Sequence, residues 1–246
     1  ARKIDEATQV YRQWLDADPE SSVARHMLAA CTGEAVPVRA SDGYVRDVFD
    51  TFAGSFDQVL DQLGYRAPTV IDEALARYLP PPDGALTVVD AGCGTGLCAE
   101  FLRPRARRLV GVDLSPGMLA RARARNVYDQ LFEAELSAWL ASQSDVNDLV
   151  VCADTLCYFG ALEGVLAAAR ASMRPGGLLV FTVESAADDV ETCRLHPSGR
   201  YSHSERYVRD ALGTAGLALV ELEAAALRRE GGVDVKGTLV VARSRA

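Results

Sequence analysis

Lysine is nearly missing from this chain of 246 residues: Lys3 and Lys236 are its lysines, and arginine supplies the rest of the basic charge. With abundant alanine, that bias suggests a GC-rich bacterial genome. Base is also short overall, 26 residues against 34 acids, for a net charge of −8. This balance argues against broad contact with a phosphate backbone, so nucleic acid is not an expected partner. No apolar run approaches the ~18 residues that a membrane span needs, and the start is not signal-like. A soluble, cytoplasmic chain without a membrane partner is expected. His26, His196 and His203 are the only histidines, too scattered for a metal site. Cys93/Cys98 and Cys152/Cys157 follow C-x4-C rather than C-x2-C spacing. They read as reduced, buried, small apolar residues, and no metal is expected. The arginines clustered at 103–108 and 121–125 read as solvated helix faces.

What is present divides the chain into three. Residues 1–32 read as a helical hairpin broken at Asp18-Pro19. Residues 33–84 read as a linker followed by helices, with Tyr44, Val48, Phe52, Phe56 and Leu60 near helical spacing. Residues 85–246 alternate. Apolar runs at 86–90, 108–113, 130–134, 148–153 and 177–183 interleave with helical segments near 97–104, 116–126, 136–142, 161–173 and 203–214. Such an order specifies an α/β, Rossmann-like parallel sheet with helices on both faces. Two closing runs, 217–225 and 236–243, flank Arg228-Arg229-Glu230-Gly231-Gly232 and read as an antiparallel edge hairpin. The total is seven strands.

The densest signal is Val88-Val89-Asp90-Ala91-Gly92-Cys93-Gly94-Thr95-Gly96-Leu97. A buried strand ends in an acid, and three alternating glycines turn the chain toward a helix starting near Leu97. Without a Cβ, such a turn lets a ligand sit directly against the backbone. A dinucleotide fingerprint needs its third glycine at position 97, where Leu97 stands, so an NAD-dependent oxidoreductase is the weaker reading. A second acid, Asp113, closes the next apolar run, where a doubly wound fold sets an acid on ribose hydroxyls. Ser115 and Pro116 then suit an N-cap and first helical position.

The D-x-G-x-G-x-G motif, the second acid and the terminal hairpin resemble the class I S-adenosylmethionine-dependent methyltransferases. The resemblance covers roughly residues 44–246. It implies that S-adenosyl-L-methionine is the cofactor and S-adenosyl-L-homocysteine the product. It also implies that Asp90, Gly92, Gly94 and Gly96 embrace the methionine and ribose. Asp113 would bind the ribose, with Leu114 and Met118 as apolar neighbours of the adenine. Glu135 and Leu136 would meet the adenine edge, with Glu133 as the alternative acid. Helices at 44–60 would form a lid, and Tyr44 and Arg66 are its candidate cofactor contacts, Arg66 for the methionine carboxylate. Ala7, Tyr11, Trp14, Pro19, Ala24 and Leu28 resemble part of a tetratricopeptide repeat. The whole arrangement is similar to bacterial predicted methyltransferases carrying such segments, and residues 1–32 are a candidate protein contact.

The segment after the fourth strand, Asp154-Thr155-Leu156-Cys157-Tyr158, falls beside the glycine loop. Asp154 and Tyr158 are therefore expected near the transferred methyl, Asp154 also touching the cofactor. The segment lacks the Pro-Pro-Tyr turn of adenine and glutamine methyltransferases, which points to a small-molecule methyl acceptor. Ser185–Tyr201 reads as a long irregular loop, and Ser202 and Glu205 as a capping box. That reading puts His203 in the first turn of a helix on the substrate side, as a candidate general base. The expected reaction is direct displacement onto an O, N or C nucleophile. A non-catalytic cofactor-sensing or partner-binding protein is the alternative from another class.

Overall fold

The structure is a computed structural model that describes residues 2–187 and 189–245. Its centre is a twisted sheet in which β1 (Leu86–Ala91), β2 (Ala106–Asp113), β3 (Gln130–Glu133), β4 (Asn147–Cys152) and β5 (Met173–Ser185) run parallel. The spatial order is β3-β2-β1-β4-β5, so the order reverses between β1 and β4. That reversal is the topological switch point, where the ends of the strands open a crevice.

Alternation along each strand divides the core. Leu149 and Val151 of β4 pack with Val88, Ile71, Leu75 and Leu102 on one face of the sheet. Val150 and Cys152 pack with Val89, Leu162, Leu166 and Leu212 on the other. Adjacent side chains of a strand point to opposite faces, so both faces must be covered by helices. α5 (Ala67–Tyr78) and α6 (Ala99–Leu102) cover the first, and α8 (Leu136–Ala141), α9 (Glu163–Ser172) and α10 (Glu205–Thr214) the second. α7 (Pro116–Ala124) starts at Ser115, whose hydroxyl accepts from Met118 N.

The closing hairpin is longer than its apolar runs. β8 (Leu217–Glu230) and β9 (Val233–Ser244) pair antiparallel, and β9 adds to β5. Arg228, Arg229 and Glu230 lie inside β8, and the turn is Gly231-Gly232, both with positive φ. The region expected to be irregular contains two more short strands, β6 (Cys193–Leu195) and β7 (Tyr201–His203). β7 pairs parallel with the last residues of β5, Glu184 with Ser202 and Ser185 with His203.

α1 (Arg2–Ala17) and α2 (Ser22–Thr32) form a hairpin whose second helix docks on the sheet domain. Ala29 and Ala30 pack against Leu195 and Tyr201, and His26 Nε2 hydrogen-bonds Gly199 O at 2.9 Å. α3 (Asp42–Phe52) and α4 (Phe56–Gln62) follow as a helical cover over the switch point. Among the described residues, no helix is long and apolar enough to cross a membrane.

Two local expectations change. The helix after the glycine loop begins at Ala99 rather than Leu97 and lasts one turn before a 3-10 turn at Arg103–Arg105. The helix near 203 begins at Glu205, and its cap is Ser204, accepting from Tyr207 N, rather than Ser202. Ser202 and His203 are held in a strand because their backbones pair with β5 and β6.

Candidate active site

At the switch point lies a cavity of about 350 Å³, walled by the glycine loop, the ends of β1, β2 and β4, and the α3–α4 cover. This is within the size range of small-molecule sites.

One end is built around the glycines. Gly92, Gly94 and Gly96 have φ of 74°, 52° and 89°, a region that favours glycine. They serve different purposes. A Cβ on Gly92 would stand 2.2 Å from Thr155 Oγ1, because that hydroxyl donates to Ala91 O and locks β4 against the loop. A Cβ on Gly96 would press on Arg125 and Tyr128. A Cβ on Gly94 would meet nothing closer than 3.9 Å, and Gly94 lines the cavity, so there the missing side chain leaves room for a ligand.

Asp113 closes β2 with its carboxylate accepting from Gly94 N at 2.8 Å and Ser115 N at 2.9 Å. It is partly exposed and lines the cavity beside Leu114 and the buried Met118. Glu135 is the N-cap of α8, accepting from Ser137 N and Ala138 N, and it lines the cavity with Leu136. Glu133 does not reach the lining. Asp90 is buried beneath the loop and accepts from the Tyr128 hydroxyl at 2.6 Å. Burial, opposed by that hydrogen bond, pushes its carboxyl up to about 7.

The other end is charged. Asp154 sits in the left-handed region at φ 49°. Its carboxylate accepts from Thr182 Oγ1 at 2.9 Å and Arg228 Nη1 at 3.0 Å. Arg228 also binds Glu184 through Nη2, and Glu230 through Nε at 2.7 Å. Arg200 shares the same two acids, Nε to Glu184 at 2.7 Å and Nη2 to Glu230 at 2.5 Å. Tyr44, Tyr65 and Tyr158 join Asp154, Arg200 and Arg228 in the lining, and Tyr158 stacks edge-on against Phe49 of the cover. Burial pushes the Tyr44 hydroxyl up to about 12 and raises those of Tyr65 and Tyr158.

Two expected site residues lie elsewhere. Arg66 is exposed at the N-terminal end of α5, away from this cavity, because its backbone N–H is tied to Leu227 O. The guanidiniums in the lining are those of Arg39, Arg200 and Arg228. His203 is 1% exposed in β7, outside the cavity lining, with Nε2 bound to Phe159 O at 2.7 Å. Desolvation lowers its pKa to about 4. A base must reach the proton that it takes, and this imidazole is buried against backbone instead. Among the described residues, no three His, Cys, Asp or Glu side chains converge as metal ligands. Cys93, Cys98, Cys152 and Cys157 are buried free thiols.

Sequence reading misses the cover's two anchors. Asp57 of α4 accepts from Thr95 Oγ1 at 2.5 Å and Arg125 Nη2 at 2.8 Å. Asp50 of α3 accepts from Ser115 Oγ at 2.5 Å and Gly117 N at 2.9 Å. Their seven-residue spacing is visible in the sequence, but not which loops they face.

A glycine-lined cavity at the reversal of a doubly wound sheet defines a Rossmann-like cofactor-binding protein. Residues 63–222 match the family model for the methyltransferase domain, and the chain belongs to that family. It is an S-adenosylmethionine-dependent methyltransferase of class I. Human methyltransferase-like protein 27 is 31% identical over 68% of this chain and 72% of its own. Trans-aconitate 2-methyltransferase of Paracidovorax citrulli is 31% identical over 58% of this chain and 54% of its own. The malonyl-[acyl-carrier protein] O-methyltransferase of Pectobacterium atrosepticum is 32% identical over 56% and 51%. The chain thus spans about half the length of these two bacterial relatives. A solved S-adenosylmethionine-dependent methyltransferase from Mesorhizobium loti superposes with TM-score 0.53 and 25% identity, over 70% of this chain and 96% of that one.

Proposed function

We propose that this chain methylates an O, N or C nucleophile of a small molecule by direct displacement. One observation carries the reading: a single cavity joins the glycine loop and Asp113 to a separate, polar end with its own hydroxyls and guanidiniums. The first end fits S-adenosylmethionine, since Gly94 presents backbone without a Cβ to the cavity. Asp90, Gly92, Gly94 and Gly96 would shape the methionine and ribose side, and Asp113 would hold the ribose. Leu114, Met118, Glu135 and Leu136 would enclose the adenine, with Tyr44 in the cover and Asp154 at the junction. Bound there, the cofactor supplies a methyl group on a cationic sulfur.

The chain's own residues orient and exclude water. Phe49, Phe52 and Phe56 of the α3–α4 cover line the cavity. Arg228 and Thr182 hold the Asp154 carboxylate. Tyr158 presents its ring and hydroxyl to the acceptor. Positioning of this kind contributes up to about 7–11 kcal/mol in favourable cases. His203 supports the wall through Phe159 rather than taking a proton. The hairpin of residues 1–32, which we read as tetratricopeptide-like, leaves Val10 and Trp14 of α1 exposed, which supports a protein contact there.

The test is thermal stabilisation by S-adenosylmethionine, S-adenosylhomocysteine and NAD(H), followed by mass-spectrometric detection of S-adenosylhomocysteine formed with cell extract. A true ligand at 100-fold over Kd adds about 2.7 kcal/mol. Stabilisation by NAD(H) alone would overturn the cofactor, and cofactor binding without product would leave a non-catalytic binder.

A further inference from the structure

Hydrogen-bond accounting at the polar end of the cavity shows an imbalance. The Asp154 carboxylate is taken, Oδ1 by Thr182 and Oδ2 by Arg228. Glu184 and Glu230 each answer both arginines through Oε1, and Glu230 lies at the rim, its side chain 41% exposed. Three donors are open deeper in the lining. Among the described residues, the hydroxyls of Tyr65 and Tyr158 make no hydrogen bond, although both residues line the cavity. Arg200 uses Nε and Nη2 on Glu184 and Glu230, and its Nη1 has no partner. None of these three atoms is a buried orphan, and all three residues line the cavity. They belong to one neighbourhood: the Arg200 charge acts on Tyr158, and those of Asp154 and Arg228 act on Tyr65.

Three open donors, one of them charged, need an acceptor-rich partner. An ammonium group at Asp154 would meet the Arg228 guanidinium already bound there, and the acceptor oxygen left open, Glu230 Oε2, lies out at the rim. A carboxylate would receive two neutral hydroxyls and a charge-assisted bond from the free edge of a guanidinium. The α3 side of the wall, Val45, Val48, Phe49 and Phe52, is apolar. Resting on the methyltransferase reading above, we infer that the acceptor is a carboxylic acid with an apolar body, recognised by Tyr65, Tyr158 and Arg200. Arg200 can serve because Glu184 and Glu230 hold its other edge, leaving Nη1 preorganised. Arg66, by contrast, has no access to the cavity.

The experiment is calorimetric titration of the protein saturated with S-adenosylhomocysteine. The probes are 3-phenylpropanoate and decanoate, with the matching primary amides and amines. Binding by at least one carboxylate is expected, about tenfold or more tighter than its amide, with no binding of the amines. Tyr65→Phe and Tyr158→Phe delete only hydroxyls, and together they are expected to weaken the carboxylate about tenfold while leaving S-adenosylhomocysteine affinity unchanged. Preference for an amine or amide, no carboxylate binding, or unchanged affinity in the double variant would each overturn the inference. Failure to bind S-adenosylhomocysteine at all would instead overturn the methyltransferase reading, and this inference with it.

Discussion

Tyr128 donates its hydroxyl to Asp90 across 38 residues of sequence, at 2.6 Å, beneath the glycine loop. The bond favours the ionised acid, yet burial outweighs it, and the charge of Asp113 adds to the rise. An acid whose folded pKa lies above its unfolded value stabilises the fold when protonated. That contribution is full below pH 4 and is lost as pH rises toward 7. A folded pKa one pH unit above the unfolded one corresponds to about 1.4 kcal/mol. Asp90→Asn should therefore flatten the decline in stability between pH 4 and 7, as measured by urea unfolding across that range. Parallel curves for the two proteins would show that folding leaves the Asp90 pKa where it was.

The glycines of the loop should separate by assay. Gly92→Ala places a methyl inside Thr155 at positive φ, so a loss above about 2 kcal/mol is expected. Gly94→Ala meets nothing closer than Phe56 at 3.9 Å, so its cost is the backbone one, about 1–2 kcal/mol. Its larger effect should be on S-adenosylmethionine affinity, read by calorimetry at a temperature where both variants are folded. A Gly94→Ala protein that binds the cofactor like wild type would place the ligand away from this backbone.

Asp57 ties the cover to the loop. Asp57→Ala removes the bonds to the buried Thr95 hydroxyl and the partly exposed Arg125, so about 1–3 kcal/mol of stability is expected to go. Amide exchange should quicken in α4 while the central strands keep their protection. Unchanged exchange in 56–62 would mean that the apolar contacts alone hold the cover.

His203 should behave as a structural residue. Its pKa is lowered, so it folds neutral, and its contribution is present above pH 6.5 and lost as pH falls toward 4. His203→Ala should cost about 1–3 kcal/mol through the lost bond to Phe159 and the space left behind. Turnover per folded molecule should stay within a few-fold. A loss of several hundredfold in turnover at full folding would restore it as a proton acceptor.

The glycine loop is legible in the sequence because its parts are close together. Asp90 to Gly96 form one turn, Asp113 closes a strand that periodicity locates, and Glu135 and Asp154 each stand two residues past one. The helix after the loop is shorter than its sequence suggests, since Arg103-Pro104 leads into a 3-10 turn. Sequence alone misplaces His203 because a three-residue strand is too short to show a period, and its pairing partner, β5, lies far upstream.

By itself, then, the sequence determined the sheet, its closing hairpin and the glycine-loop end of the cavity. Those follow from local alternation, glycine spacing and the acids that end strands. Only the tertiary structure decided the charged end of the cavity, where Asp154, Glu184, Arg200 and Arg228 converge from the end of β4, β5, the turn before β7, and β8. Asp154 and Arg228 meet across 74 residues, and such a pairing leaves no local pattern. It is set by strand register, and register is decided by packing the whole sheet at once.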